Sequence, residues 1–181
     1  MEIVKKESGI ISIRIDADLK DKLQHESEQK RITLSSLLDQ IISEHIHWNK
    51  LSSDIGFLPL PRRILSSFVN SLDETDVSQI GETIGKDEFK NIIKYFYGDV
   101  DLDSTLRLME RWFKSAKMNC RHIIDDNKNK YIVQHELGSK WSSFCISTID
   151  SLFQEVGQKL IEKNSDEHCF SFKIGSLEAT G

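Results

Sequence analysis

Proline is nearly absent from this 181-residue chain: Pro59 and Pro61 are its two prolines, and both fall in Ile55-Gly56-Phe57-Leu58-Pro59-Leu60-Pro61. The backbone there must be extended or turning, which marks a boundary between two parts of the chain. Cysteine is also scarce. Cys120, Cys145 and Cys169 are odd in number and lack CxxC spacing, which excludes a disulfide framework and a standard zinc module and leaves reduced thiols. No apolar run approaches the roughly 18 residues of a membrane span, and the opening Met1-Glu2-Ile3-Val4-Lys5-Lys6-Glu7 lacks the apolar stretch of a signal peptide. The expectation is a cytoplasmic protein without a membrane partner. Net positive charge is missing too: the net charge of -5 argues against a surface that clings as a whole to nucleic acid, so any DNA contact must come from a local patch. No phosphate-binding glycine loop occurs, since Gly81 and Gly85 stand alone among charges, and Gly85 and Gly98 read as helix stops. With 38% hydrophobic and 29% charged residues the chain is an ordinary globular one, able to bury a core.

The first 50 residues carry their own pattern. Ile11, Ile13 and Ile15 alternate with Ser12 and Arg14, the period of a strand. Asp16 caps a mostly wet helix running to about Lys30, with Leu19 and Leu23 as a narrow apolar stripe. Thr33 caps a second helix in which Leu34, Leu37, Leu38, Ile41, Ile42, His45 and Ile46 recur at helical spacing. One strand and two helices cannot cover that stripe, and a lone strand leaves its edges open. Pairing with a second copy meets both needs.

The remainder reads as α+β. After a linker over 51–61, the domain over 62–175 opens with helical segments marked by Ile64, Leu65, Phe68, Val69 and Leu72, then by one or two helices over 73–97. A further helix carries Leu106, Met109, Trp112 and Phe113 and is capped near Asp103 or Ser104. Two hairpins, 119–124 with 130–136 and 159–162 with 169–174, flank a long helix over 139–157. Strand, strand, helix, strand, strand predicts an antiparallel sheet with a helix on one face, with a frayed tail over 175–181.

Ile11-Ser12-Ile13-Arg14-Ile15, followed by Asp16-Ala17-Asp18-Leu19-Lys20-Asp21-Lys22-Leu23 and Arg31-Ile32-Thr33-Leu34-Ser35-Ser36-Leu37-Leu38, resembles the ribbon-helix-helix domain of Arc-type and MetJ-type repressors. The resemblance covers about the first quarter of the chain. It implies that two chains pair their strands into an antiparallel ribbon entering the major groove of double-stranded DNA. The outward positions would then be Ile10, Ser12 and Arg14, with Ile11, Ile13 and Ile15 beneath on the helices. Arg14 would read guanine with two hydrogen bonds, and Ser12 would be less selective. The backbone of Thr33, Leu34 and Ser35 would hold a phosphate, assisted by Lys5, Lys6, Lys30 and Arg31. Two positions depart from the family: Ile10 stands where a polar group is usual, and Lys30 where glycine is often found. Over residues 1–31, seven basic residues meet seven acidic ones, so strong nonspecific binding is not implied. The layout of the whole chain is also similar to that of uncharacterised archaeal proteins that join such a domain to one ending in a segment like His135-Glu136-Leu137-Gly138-Ser139-Lys140-Trp141-Ser142.

The expected function is therefore a DNA-binding transcriptional regulator, a homodimer or higher assembly, whose C-terminal domain senses a small-molecule or protein effector or sets oligomeric state. An antitoxin-like protein that masks a partner, and an interaction module that dimerises without binding DNA, are the alternatives. No cofactor and no enzyme activity are expected. Cys120, His122, His135, His168 and Cys169 offer zinc-type or nickel-type ligands, but at no known ligand spacing, and core thiols and hydrogen-bonded imidazoles explain them better. Ser142 or Cys145 beside His135 would be a nucleophile pair, though nothing in the sequence places an oxyanion donor. Trp112, Trp141, Phe144 and Phe153 suit a plain core better than an effector pocket. Asp99, Asp101 and Asp103 suit capping better than calcium.

Overall fold

The computed structural model describes residues 9–125 and 128–176. The chain divides into two compact units, Met1–Ser52 and Ser53–Gly181.

In the first unit, the Asp16 carboxylate accepts the Asp18 N–H at 2.9 Å and starts α1, Ala17–Gln29. The helix ends on a left-handed residue, Arg31 (φ 54°), with the Ile32 N–H returning to the Ser27 carbonyl at 3.0 Å. Lys30 keeps a right-handed φ of -80°, so the residue strained by lacking glycine is its neighbour. Thr33 Oγ1 accepts the Ser36 N–H at 3.1 Å and opens α2, Leu34–Glu44. A wider π-type turn at His45–Asn49 continues it into α3, Lys50–Asp54, so helix occupies the start of the segment expected to be linker. Residues 9–16 form no strand: among the described residues this segment has no strand to pair with.

The second unit is α+β. α4 (Arg62–Ser71) is followed by α5 (Glu74–Thr83), a π-type turn at Ile84–Phe89, and α6 (Lys90–Tyr97). Gly98, at φ 85°, ends α6 as expected. Gly85 does not stop a helix. It lies inside the helical run against α8 (Ser139–Gln154), where a Cβ would stand 2.1 Å from the Thr148 carbonyl oxygen. α7, Leu102–Ser115, starts two or three residues earlier than Asp103 or Ser104 would place it. Asp101 is its cap, and Ser104 returns the bond to the Asp101 N–H at 3.0 Å.

The sheet comprises β1 (Asn119–Asp125), β2 (Lys128–Gln134), β3 (Gln158–Ser165) and β4 (Cys169–Ser176), all antiparallel neighbours in the order β1-β2-β4-β3. Gly175 and Ser176 belong to β4 rather than to a frayed tail, and 177–181 lie outside the described residues. Helix α8 joins β2 to β3, and β4 fills the gap between them. Register sets which side chains meet: Cys120, Val133 and Phe170 form one row, and His122, Tyr131 and Phe172 the next on the same face. That face meets α7, where Phe113 packs edge-on against Phe170 and Tyr131 donates to Glu110 at 3.0 Å. Phe113, Phe153, Phe170 and Phe172 are completely buried and form the centre of the core. On the opposite face Lys173, almost fully enclosed, reaches both Asp125 (3.0 Å) and Glu162 (2.9 Å). These two carboxylates, Glu162 foremost, raise its pKa, so it stays charged.

Candidate functional site

Two regions hold the residues singled out by sequence. In the N-terminal unit Ile10, Ser12 and Arg14 are exposed, as the resemblance requires of outward positions, but so are Ile11 (81%) and Ile13 (61%), with Ile15 half-buried. Leu19, Ile41, Ile42 and Ile46 are exposed on the two helices, and Leu37 is buried. A unit this small therefore leaves many of its large apolar side chains in water, which costs about 25 cal/mol per Å2 of apolar surface left uncovered. Thr33 spends its hydroxyl on the third N–H of α2. The N–H groups of Leu34 and Ser35, in the first turn, have no acceptor within the helix and point outward with the positive end of the helix dipole. Lys30 is paired with Glu26 at 2.5 Å, which reduces what it can offer a phosphate, whereas Arg31 is exposed. Lys5 and Lys6 lie outside the described residues.

In the second unit, β2, α8 and the β3–β4 turn meet at a buried polar corner. The His135 N–H donates to the His168 carbonyl at 2.8 Å, extending the β2–β4 pairing. Its ring Nδ1 accepts the Leu137 N–H at 3.2 Å. An amide can only donate, so Nδ1 is bare and the proton sits on Nε2, which donates to Ser142 Oγ at 2.7 Å. The Ser142 hydroxyl donates in turn to the Asp166 backbone carbonyl at 2.7 Å. The Asp166 carboxylate in turn accepts the His168 N–H at 2.7 Å, the Cys169 N–H at 2.8 Å and the Cys169 thiol at 3.2 Å, which holds its pKa low.

Ser142 and His135, which the sequence offers as a nucleophile pair without an oxyanion donor, do lie within hydrogen-bond distance, but the proton order is not that of an activated serine. A nucleophilic serine must give its proton to a bare Nε2, and here Nε2 is the donor and the serine is completely buried. The corner is a structural lock. The thiols are equally quiet: burial raises the pKa of Cys120 to about 11 and that of Cys145 well above its ordinary value, and the Asp166 carboxylate raises that of Cys169.

A cavity of about 560 Å3 opens beside this corner, lined by Arg62, Lys117, Asn119, His135, Glu136, Asp166 and His168 among others. Arg62 crosses it, donating to Glu136 at 3.2 Å and to the Lys117 carbonyl at 2.7 Å. Nothing in the sequence around Arg62 pointed here, because its partners lie 55 and 74 residues away. The expected metal ligands do not converge. Cys120 and His122 share the core face of β1, but His122 stacks on Tyr131 (4.4 Å) and contacts Asn129 Oδ1 at 2.8 Å. Among the described residues no group of three or more His, Cys, Asp or Glu side chains is placed to hold a metal. Of the four aromatic residues, Trp112 packs on Phe89 and Phe113, Trp141 stacks on Phe144, and Phe153 is completely buried.

Burial chiefly holds the His135 pKa below 6.5. His168 and Arg62 add to that effect, while Asp166 opposes it. With the folded pKa below the unfolded one, the unfolded state takes up the proton first as pH falls. Stability from this group is therefore complete above pH 6.5 and declines as pH drops below it towards the folded value. Urea melts across this range should show the decline in the wild type and a flatter profile in His135→Gln. An equal slope in both proteins would refute the lock.

Scans against protein-family models, curated proteins and solved structures find no match for this chain. Among the described residues no helix is long and apolar enough to cross a membrane.

Proposed function

We propose that the protein is a DNA-binding transcriptional regulator of the ribbon-helix-helix kind, acting as a homodimer. One observation carries the reading: Ile11, Ile13, Leu19, Ile41, Ile42 and Ile46 are all exposed in a unit made of an extended segment and two helices, half of a core awaiting an identical half. A second copy pairs residues 10–15 into an antiparallel ribbon. It turns Ile11, Ile13 and Ile15 onto α1 and α2 and leaves Ile10, Ser12 and Arg14 for the major groove, which is wide enough for two strands. Arg14 reads guanine, and the open N–H groups of Leu34 and Ser35 with Arg31 clamp phosphates on either side. The C-terminal α+β domain sets the assembly or senses an effector. The cleft beside His135 is within the size range of small-ligand sites.

The test is a titration of the full chain into labelled DNA from upstream of its own gene at several salt concentrations, against an unrelated duplex. Wild type should bind its own DNA selectively and weaken as salt rises. Arg14→Ala should lose about 30-fold or more in discrimination, the value of two bidentate guanine contacts, one from each copy. No binding at low salt would leave the ribbon as a dimerisation device alone, and unchanged selectivity in Arg14→Ala would remove Arg14 as the reading residue.

A further inference from the structure

The two outer strands of the sheet are built differently. β3 carries a register shift between Ile161 and Asn164, a left-handed residue at Glu162 (φ 50°), and lysines at 159 and 163. Bulges and lysines are the standard means by which an edge is kept from pairing. β1 has none of them. Its seven residues pair with β2 in unbroken register, so alternate N–H and C=O groups along the whole strand face outward, and among the described residues no strand lies beyond it. Ile124, near its end, is 67% exposed, and Arg121 is exposed as well.

We propose that β1 pairs with β1 of a second copy, antiparallel about a two-fold axis through Ile123, joining two four-stranded sheets into one of eight. The sequence of the strand selects this partner. An antiparallel self-pairing centred on residue 123 sets Arg121 against the second copy's Asp125, twice by symmetry, with both groups on one face. It also places each Ile124 beside the other copy's His122 on the opposite face. Asp125 already holds Lys173 at 3.0 Å on the side away from the edge, so the new guanidinium extends an ion network outward from the sheet. A pairing centred one residue earlier opposes Arg121 to Ile123 and leaves no ion pair. This interface stands independently of the N-terminal ribbon. If both form, each chain has two separate contacts with other copies.

Oxidative cross-linking of the full chain tests it. At the two-fold position of an antiparallel pair two Cα atoms lie about 4.5 to 5.5 Å apart, within disulfide reach. Ile123→Cys should form a covalent dimer on a non-reducing gel at least about tenfold faster than either wild type, which sets the background of the native thiols, or Ile161→Cys on the blunted edge. Adding Arg121→Asp, which places like charges opposite at both symmetric positions, should slow Ile123→Cys about tenfold. Equal rates at 123 and 161, or indifference to Arg121→Asp, would overturn the pairing.

Discussion

Replacing Gly85 with alanine is expected to destabilise the protein by about 3 kcal/mol or more and to lower its melting temperature by roughly 6 to 12 °C. The added carbon would sit 2.1 Å from the Thr148 carbonyl oxygen, 3.0 Å from its carbon and 3.2 Å from the Leu152 nitrogen. All three are backbone atoms of α8, so no side chain can swing away and the helices must part. Separation would loosen the same contact one turn earlier, where Gly81 approaches the Phe144 carbonyl and Ser151 donates to the Glu82 carbonyl at 2.6 Å. Gly98→Ala is the control. Its Cβ meets open space, so only the strain of its positive φ applies, about 1 kcal/mol. Thermal melts followed by circular dichroism decide the matter: similar losses in the two variants would show that close approach of the Ile84–Phe89 turn to α8 is not what position 85 provides.

Phe170→Ala is expected to cost about 3 to 5 kcal/mol, enough to leave a marginally stable domain partly unfolded at 25 °C. The ring is completely buried and touches three others, Phe113 at 5.9 Å, Phe172 at 6.3 Å and the His135 imidazole at 5.9 Å. Removing it opens a cavity between α7, the sheet and the polar corner. That cavity cannot close by local collapse, because the neighbouring rings are fixed by strand register. Phe170→Leu keeps most of the volume and should cost much less. Chemical denaturation of both variants checks the ordering, and a loss below 1 kcal/mol in the alanine variant would place the centre of the core elsewhere.

Local chemistry in the sequence determined much of this protein. Asp16 and Thr33 cap the two N-terminal helices because a short oxygen-bearing side chain at that position accepts a free N–H whatever lies around it. The two C-terminal hairpins and the long helix between them are legible from periodicity, since alternation and 3.6-residue recurrence follow from backbone geometry alone. The same periodicity marks residues 11–15 as strand-like, yet a strand needs a neighbour, and none lies there among the described residues. Tertiary structure decided the rest. Gly85 reads locally as a helix breaker and becomes a packing residue only because α8 passes within contact distance. The chemistry of Ser142 and His135 turned on which atom of the ring meets the Leu137 N–H, a matter of 3.2 Å that spacing cannot express. The Arg62 cleft, the enclosed Lys173 and the open edge of β1 likewise depend on strand order, because they join residues far apart in the chain whose interaction exists only once the sheet has closed.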